Sequence, residues 1–149
     1  MIRNYAFVMS AEAAFIHVLR RLTLRWRRLF DARLKETAAQ TYVRAQTLRL
    51  LATRPEGMTQ RELTEEQMTE HPTMVRILAA LESQGLIRRE PIEGNRRANL
   101  IRLTDAAAPV VAELEDLFTT ERQRLLADIR PEDLALVIRV LGTIADKLE

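Results

Sequence analysis

The sequence predicts a mainly α protein: a winged helix-turn-helix with a small β-hairpin wing and N- and C-terminal dimerisation helices. Three observations predict it. His71–Leu103 reads as a helix, a stop at Gly85, and two strands, Leu86–Glu90 and Ala98–Leu103, around a bend of Gly94, Asn95, Arg96 and Arg97. Long stretches on both sides of it keep helical apolar spacing. Hydrophobic content of 47% with only 5% aromatics points to a core of Leu, Ile, Val and Ala.

Ser10 to Lys35 is the first long helix, with Ser10 as its cap and one apolar stripe through Phe15, Leu19, Leu22, Trp26 and Leu29. Ala38 to Thr53 is a second, with Val43, Thr47, Leu50 and Leu51 inward. Arg54-Pro55-Glu56-Gly57 is a turn. Met58 to Glu66 carries a short helix that Thr59 caps, with Glu62 completing a capping box and Leu63 as the inward anchor. Gln67 to His71 is a turn, and Pro72 takes the first helical position, where its missing N–H costs nothing. Met74, Ile77, Leu78 and Leu81 then face inward, and Thr73 and Arg76 face away. In the second strand of the wing Ile101 and Leu103 face the core.

Thr104 is expected to cap a helix running to about Ala127, with Pro109 in its early part. Pro131 opens the last helix, and Glu132 and Asp133 suit the positive end of its dipole. There Leu134, Val137, Leu141, Ile144 and Leu148 form a regular seam, the pattern of a helix packed on another helix. Residues 1–54, 55–104 and 105–149 are assigned to N-terminal support and dimerisation, the winged unit, and C-terminal dimerisation, all within one domain spanning 1–149.

The net charge of +2 conceals a gradient. Residues 1–54 hold 11 basic and 3 acidic side chains, whereas residues 105–149 hold 5 and 10. A polyanion partner on one side is implied. A helix of this kind fits a DNA major groove, and a cationic hairpin beside it can reach a minor groove. Arg76 suits a guanine edge, Arg97 a narrow A·T-rich minor groove, Arg96 a phosphate, and His71 a base or phosphate. Arg88, Arg89 and Arg102 support the wing or meet phosphates.

The cluster Arg20, Arg21, Arg25, Arg27 and Arg28 is read as the polar face of a dimer helix, pairing with acids such as Glu113, Glu115 and Asp116. An anionic membrane surface is its rival reading. No stretch is long and apolar enough to span a bilayer, and a faint resemblance of the N-terminus to a signal peptide is set aside. Absent cysteine excludes disulfides and thiolate metal sites and suits a reducing cytoplasm. The two histidines, His17 and His71, lie far apart, so no metal or other cofactor is expected. No nucleophile elbow or phosphate-cradling glycine loop is present, which argues against an enzyme.

RWRRLFDARL (25–34), GMTQREL (57–63), HPTMVRILAALESQGLIRR (71–89), NRRANLIRLTD (95–105) and APVVAELEDLF (108–118) resemble, in order and spacing, the MarR family of bacterial transcription regulators and its SlyA-like branch. The resemblance runs from about Ala14 to Glu149. It implies a homodimer clasped through its terminal helices. It also implies two winged units on a pseudo-palindromic double-stranded DNA operator, and a small anionic, often phenolic, aromatic ligand between the dimer helices and the DNA-binding lobes. Carried over, the DNA contacts fall on Thr59, His71, Pro72, Thr73, Arg76, Asn95, Arg96 and Arg97. His17, Arg20 and Arg21 are candidates for a ligand carboxylate, which an arginine fork suits. There are three departures from the family pattern. Asn95 replaces an Asp that pairs with the wing arginine, Ala79 replaces an Asp, and Gln67-Met68-Thr69 replaces Leu-Gly-Ile. Met68 is therefore expected in a left-handed backbone at a cost of roughly 1 kcal/mol. These departures leave a second reading, a winged-helix protein–protein interaction module with weakened DNA reading.

Overall fold

The computed structural model describes residues 10–92 and 95–148, without the side chains of residues 95–97. Its contacts define two compact units, Met1–Glu115 and Asp116–Glu149. The elements in chain order are α1 (Ala11–Thr37), α2 (Tyr42–Ala52), β1 (Met58–Thr59), α3 (Gln60–Glu66), α4 (His71–Ser83), β2 (Ile87–Ile92), β3 (Asn95–Leu103), α5 (Ala107–Leu126) and α6 (Pro131–Ala145).

In the first unit, Ser10 caps α1 by accepting from the Ala13 N–H. The expected stripe on α1 is only partly covered. Leu22 is 57% exposed, and the buried residues are Phe30 and Leu34. The reason is local: the end of α1 packs on α2, and Phe30 stands between Trp26 and Tyr42 with ring centroids 4.9 and 5.9 Å away. The α1–α2 corner is tight. Ala38 and Gln40 both donate backbone N–H groups to the Leu34 carbonyl, and Ala39 takes φ +50°. Helix α2 begins at Tyr42, later than the expected Ala38, because Thr41 supplies its cap by accepting from the Arg44 N–H. The Tyr42 N–H donates to Asp31 Oδ1 at 2.6 Å.

The core of this unit is Leu48, Leu51, Leu63, Met74, Leu78, Leu81 and Ile101, all at 0 or 1% exposure. Complete burial of such side chains is worth roughly 1.5–3 kcal/mol each. A three-stranded antiparallel sheet in the order β1-β3-β2 covers one side. Met58 and Thr59 also form a short strand against Ile101 and Leu100, which was not among the expected elements, while Thr59 caps the helix as expected. Two residues carry too little pattern for a strand to be seen in sequence. Both strands of the wing are longer than expected, so Asn95, Arg96 and Arg97 have their backbones in β3 instead of a bend. Gly94 lies outside the described residues. The pairing register shifts between Pro91 and Ile92.

Gly85 ends α4 at φ +70°, and Thr104 donates its hydroxyl to the Gly85 carbonyl at 2.6 Å. That bond ties the end of β3 to the end of α4, and Thr104 is not the helix cap expected from sequence; α5 starts only at Ala107. In the second unit, Arg130 precedes α6 and pairs with Asp133 at 2.7 Å. None of the α6 residues is buried.

Candidate nucleic-acid interface

Helix α4 is built to show one face. Met74, Ile77, Leu78 and Leu81 are buried at 7% exposure or less. This leaves His71, Pro72, Thr73, Arg76 and Ala79 exposed on the remaining arc. The helix starts at His71, one residue earlier than expected, with Glu70 before it and Pro72 in its first turn. The His71 ring, expected just ahead of the helix, thus sits on its first turn, where it meets the Gln60 amide at 3.1–3.3 Å.

Helix α3 is anchored in front of it by a complete capping box. Thr59 Oγ1 accepts from the Glu62 N–H, and the Thr59 N–H donates to Glu62 Oε2 at 2.6 Å. Those bonds hold the Glu62 carboxyl below its ordinary range, the backbone bond from Thr59 being the largest cause. Thr59 also donates its hydroxyl to that carboxylate at 2.7 Å. As a DNA contact, Thr59 therefore has only spare acceptor capacity to offer from its hydroxyl.

The turn from α3 to α4 holds Met68 at φ +46°, the left-handed backbone that the missing glycine implied. The Met68 side chain is 96% exposed. Gln67 anchors the turn from below: its Nε2 donates to Thr47 Oγ1 at 2.9 Å, and Thr47 is fully buried in α2. Thr47 passes its own proton to the Val43 carbonyl at 2.9 Å.

At the base of the wing, Glu90 lies between Arg88 at 2.7 Å and Arg102 at 3.0 Å. The Arg88 hydrogen bond is the main reason its carboxyl sits below the ordinary range. Arg89 pairs with Glu82 of α4 at 3.1 Å. Arg88, Arg89 and Arg102 are thus engaged in supporting the wing. Asn95, Arg96 and Arg97 belong to β3 by backbone, and their side chains lie outside the described residues.

Of the α1 cations, Arg27 lies 3.8 Å from Asp31. Glu115, expected opposite the α1 arginines, is taken by Arg49 of α2 through two bonds of 2.6 and 3.3 Å. His17, Arg20 and Arg21 lie on α1 and line none of four clefts of the first unit, one of which reaches the adjacent Leu22 and Thr23. One cleft, of about 480 Å³, is lined by Arg27, Tyr42, Gln46, Gln67 and Met68. Another, of about 750 Å³, brings Lys35, Gln40 and Arg44 beside Thr73 and Arg76. Sequence reasoning did not single out Lys35, Gln40 or Arg44; the only available signal was two cations flanking the helix break.

In α6, Leu134, Leu141 and Ile144 are half-buried, while Val137 is 51% exposed. Leu148, counted in the same seam, lies past the helix end at Ala145 and is 84% exposed. Leu136, Ile138 and Val140 are exposed too, at 44–63%. Among the described residues no group of three or more metal-binding side chains converges, and no helix is long and apolar enough to cross a membrane.

A buried-backed helix behind a capped helix and a tight turn, followed by a three-stranded sheet, defines a winged helix-turn-helix. The MarR family model matches residues 41–98. The chain is 35% identical to the transcriptional regulator PA3341, over 90% of this chain and 97% of that one, with a TM-score of 0.80. It has the same fold as Sco3205, a MarR family regulator from Streptomyces coelicolor solved with DNA (19% identity, 95% and 90% covered, TM-score 0.86). MepR of S. aureus, also solved with DNA, is similar at 22% identity, 89% and 96% coverage and a TM-score of 0.81. The chain belongs to the MarR family.

Proposed function

We propose that this protein is a sequence-specific, double-stranded DNA-binding transcription regulator that works as a homodimer in the cytoplasm. The observation that carries the reading is α4. Its inner face is wholly buried, and its outer face offers Thr73 and Arg76 to a groove. PA3341 is described as a transcriptional regulator, and Sco3205 and MepR were solved with DNA, which supports the same role here. The dimer reading is supported by α6. A helix with exposed Leu136, Val137, Ile138 and Val140 and no buried residue calls for a cover, and a second copy supplies one. Two recognition helices then meet half-sites about 10 base pairs apart.

Modulation by a small anionic or phenolic ligand is supported by the cleft at Arg27 and Tyr42, which joins a guanidinium to an aromatic wall. A ligand there acts only through its differential affinity for the DNA-competent and incompetent states.

Selection of bound duplexes from a random pool, followed by anisotropy titration, tests the proposal. A palindromic consensus is expected, with affinity falling steeply with salt as counterions are released. Arg76→Ala should relax preference at one base position, worth about 1–3 kcal/mol of discrimination. An unenriched pool, with no salt-dependent binding, would favour the protein-interaction reading instead.

A further inference from the structure

We propose that Lys35 and Arg44 form a seat for a DNA backbone phosphate beside the recognition helix. The inference rests on the DNA-binding reading and adds a contact that the recognition helix and wing do not supply. Lys35 near the end of α1 and Arg44 in the first turn of α2 line one open cleft with Thr73 and Arg76 of α4. Arg27 lines it as well, so the cleft has four cations against a single carboxylate, Asp31. That carboxylate is committed: it lies 3.8 Å from Arg27 and accepts the Tyr42 N–H. Neither Lys35 nor Arg44 has a carboxylate partner among the described residues.

The tight α1–α2 corner holds this arrangement in place, through the left-handed Ala39 and the paired bonds onto the Leu34 carbonyl. Gln40, in the same corner, is 4% exposed and donates to Gln84 Oε1 at 2.7 Å. Its own Oε1 is buried and has no hydrogen-bond donor among the described residues. The part-buried Gln40–Gln84 bond fixes the corner from beneath, so the cleft's anion donors are the cationic side chains. A base edge is excluded as the target, because Lys35 and Arg44 stand beside the reading face of α4 and not on it.

The test is the salt dependence of DNA affinity, measured by anisotropy on the selected duplex and on a scrambled one. Each phosphate contact contributes about 0.9 to the slope of log K against log salt. A dimer carrying Arg44→Gln loses two contacts, so the slope should drop by about 1.8 and affinity at 0.15 M salt by about 30-fold. Lys35→Gln should behave alike, and both variants should lose the same factor on scrambled DNA, unlike Arg76→Ala. Arg122→Gln, the same change of charge on exposed α5, should leave the slope unaltered. Wild-type slopes retained by Arg44→Gln and Lys35→Gln would overturn the seat while leaving the DNA reading standing. Absence of DNA binding by the wild type would overturn both. Inorganic phosphate binding that Arg44→Gln abolishes, with the DNA slope unmoved, would assign the cleft to free anions and refute the DNA contact.

Discussion

Met68→Gly should stabilise the protein, against the usual rule that glycine weakens a fold. Met68 sits at φ +46° with its side chain 96% exposed. Truncation therefore removes almost no packing, and the substitution isolates the backbone. An L-residue in the left-handed region costs about 1–2 kcal/mol, which glycine escapes. Glycine in turn gains freedom in the unfolded chain, worth about 0.4–1 kcal/mol in the opposite direction. The difference leaves a net gain near 0.8 kcal/mol. For a chain of 149 residues this is a rise in Tm of roughly 2–3 °C. Urea unfolding at a fixed protein concentration should show a higher midpoint and an unchanged m value, which keeps dimer mass action out of the comparison. Met68→Ala is the control: it keeps the left-handed penalty and should gain nothing. A Met68→Gly midpoint equal to that of Met68→Ala, or below wild type, would refute the claim that strain is held in this turn.

The Thr59–Glu62 box gives a pH dependence. The folded Glu62 carboxyl is depressed, so its stabilisation is present above about pH 4.5 and is lost as pH falls through the folded value. Glu62→Gln keeps an acceptor for the cap but does not titrate, so its acid limb should be shallower than that of wild type in denaturation between pH 5 and 3. Thr59→Ala should cost about 1 kcal/mol at neutral pH. Val137→Lys, on the uncovered α6, should shift the protein from dimer to smaller species in sedimentation velocity; a monomeric wild type would remove the dimer proposal at once.

Much of the recognition helix was legible in sequence because its signal is dense. Met74, Ile77, Leu78 and Leu81 repeat at helical spacing between a proline and a glycine, and each is buried as expected. The capping box was equally visible, since Thr and Glu at that spacing have one good arrangement. The misses share a different physics. β1 is only two residues long, and its pairing with Leu100 and Ile101 is long-range. Thr104 looked like a cap, but the nearby Gly85 carbonyl claims its hydroxyl, and only the fold brings the two together. The stripe of α1 has helical period throughout, yet period alone cannot say which part is covered, and Leu22 is left 57% exposed. The Lys35, Gln40 and Arg44 cleft was invisible for the same reason, since α4 is brought beside the α1–α2 corner only by folding.

The three turn residues that depart from the family pattern, Gln67, Met68 and Thr69, are better understood as one exchange. An apolar residue at position 67 would anchor the turn by burial; Gln67 anchors it by hydrogen bonding to Thr47. Thr47 is fully buried, so its hydroxyl must be satisfied, and it is satisfied twice, by the Val43 carbonyl and the Gln67 amide. Met68 then donates its N–H to the Glu65 carbonyl, and Thr69 donates to that of Thr64, so the left-handed residue sits inside a closed set of bonds. The backbone penalty at Met68 is thereby confined to the turn and is not passed to α4, whose first turn begins only after Glu70. The same logic orders the variants. Thr47→Val strips the hydroxyl from the anchor and should loosen the turn ahead of α4, whereas Met68→Gly relaxes the turn and leaves the anchor whole. If the two act on one turn, their stability changes should fail to add, because they share the backbone between Gln67 and Glu70. Strict additivity in a double-mutant cycle would show that Gln67–Thr47 and Met68 are independent, and the exchange would then have to be described as two unrelated substitutions.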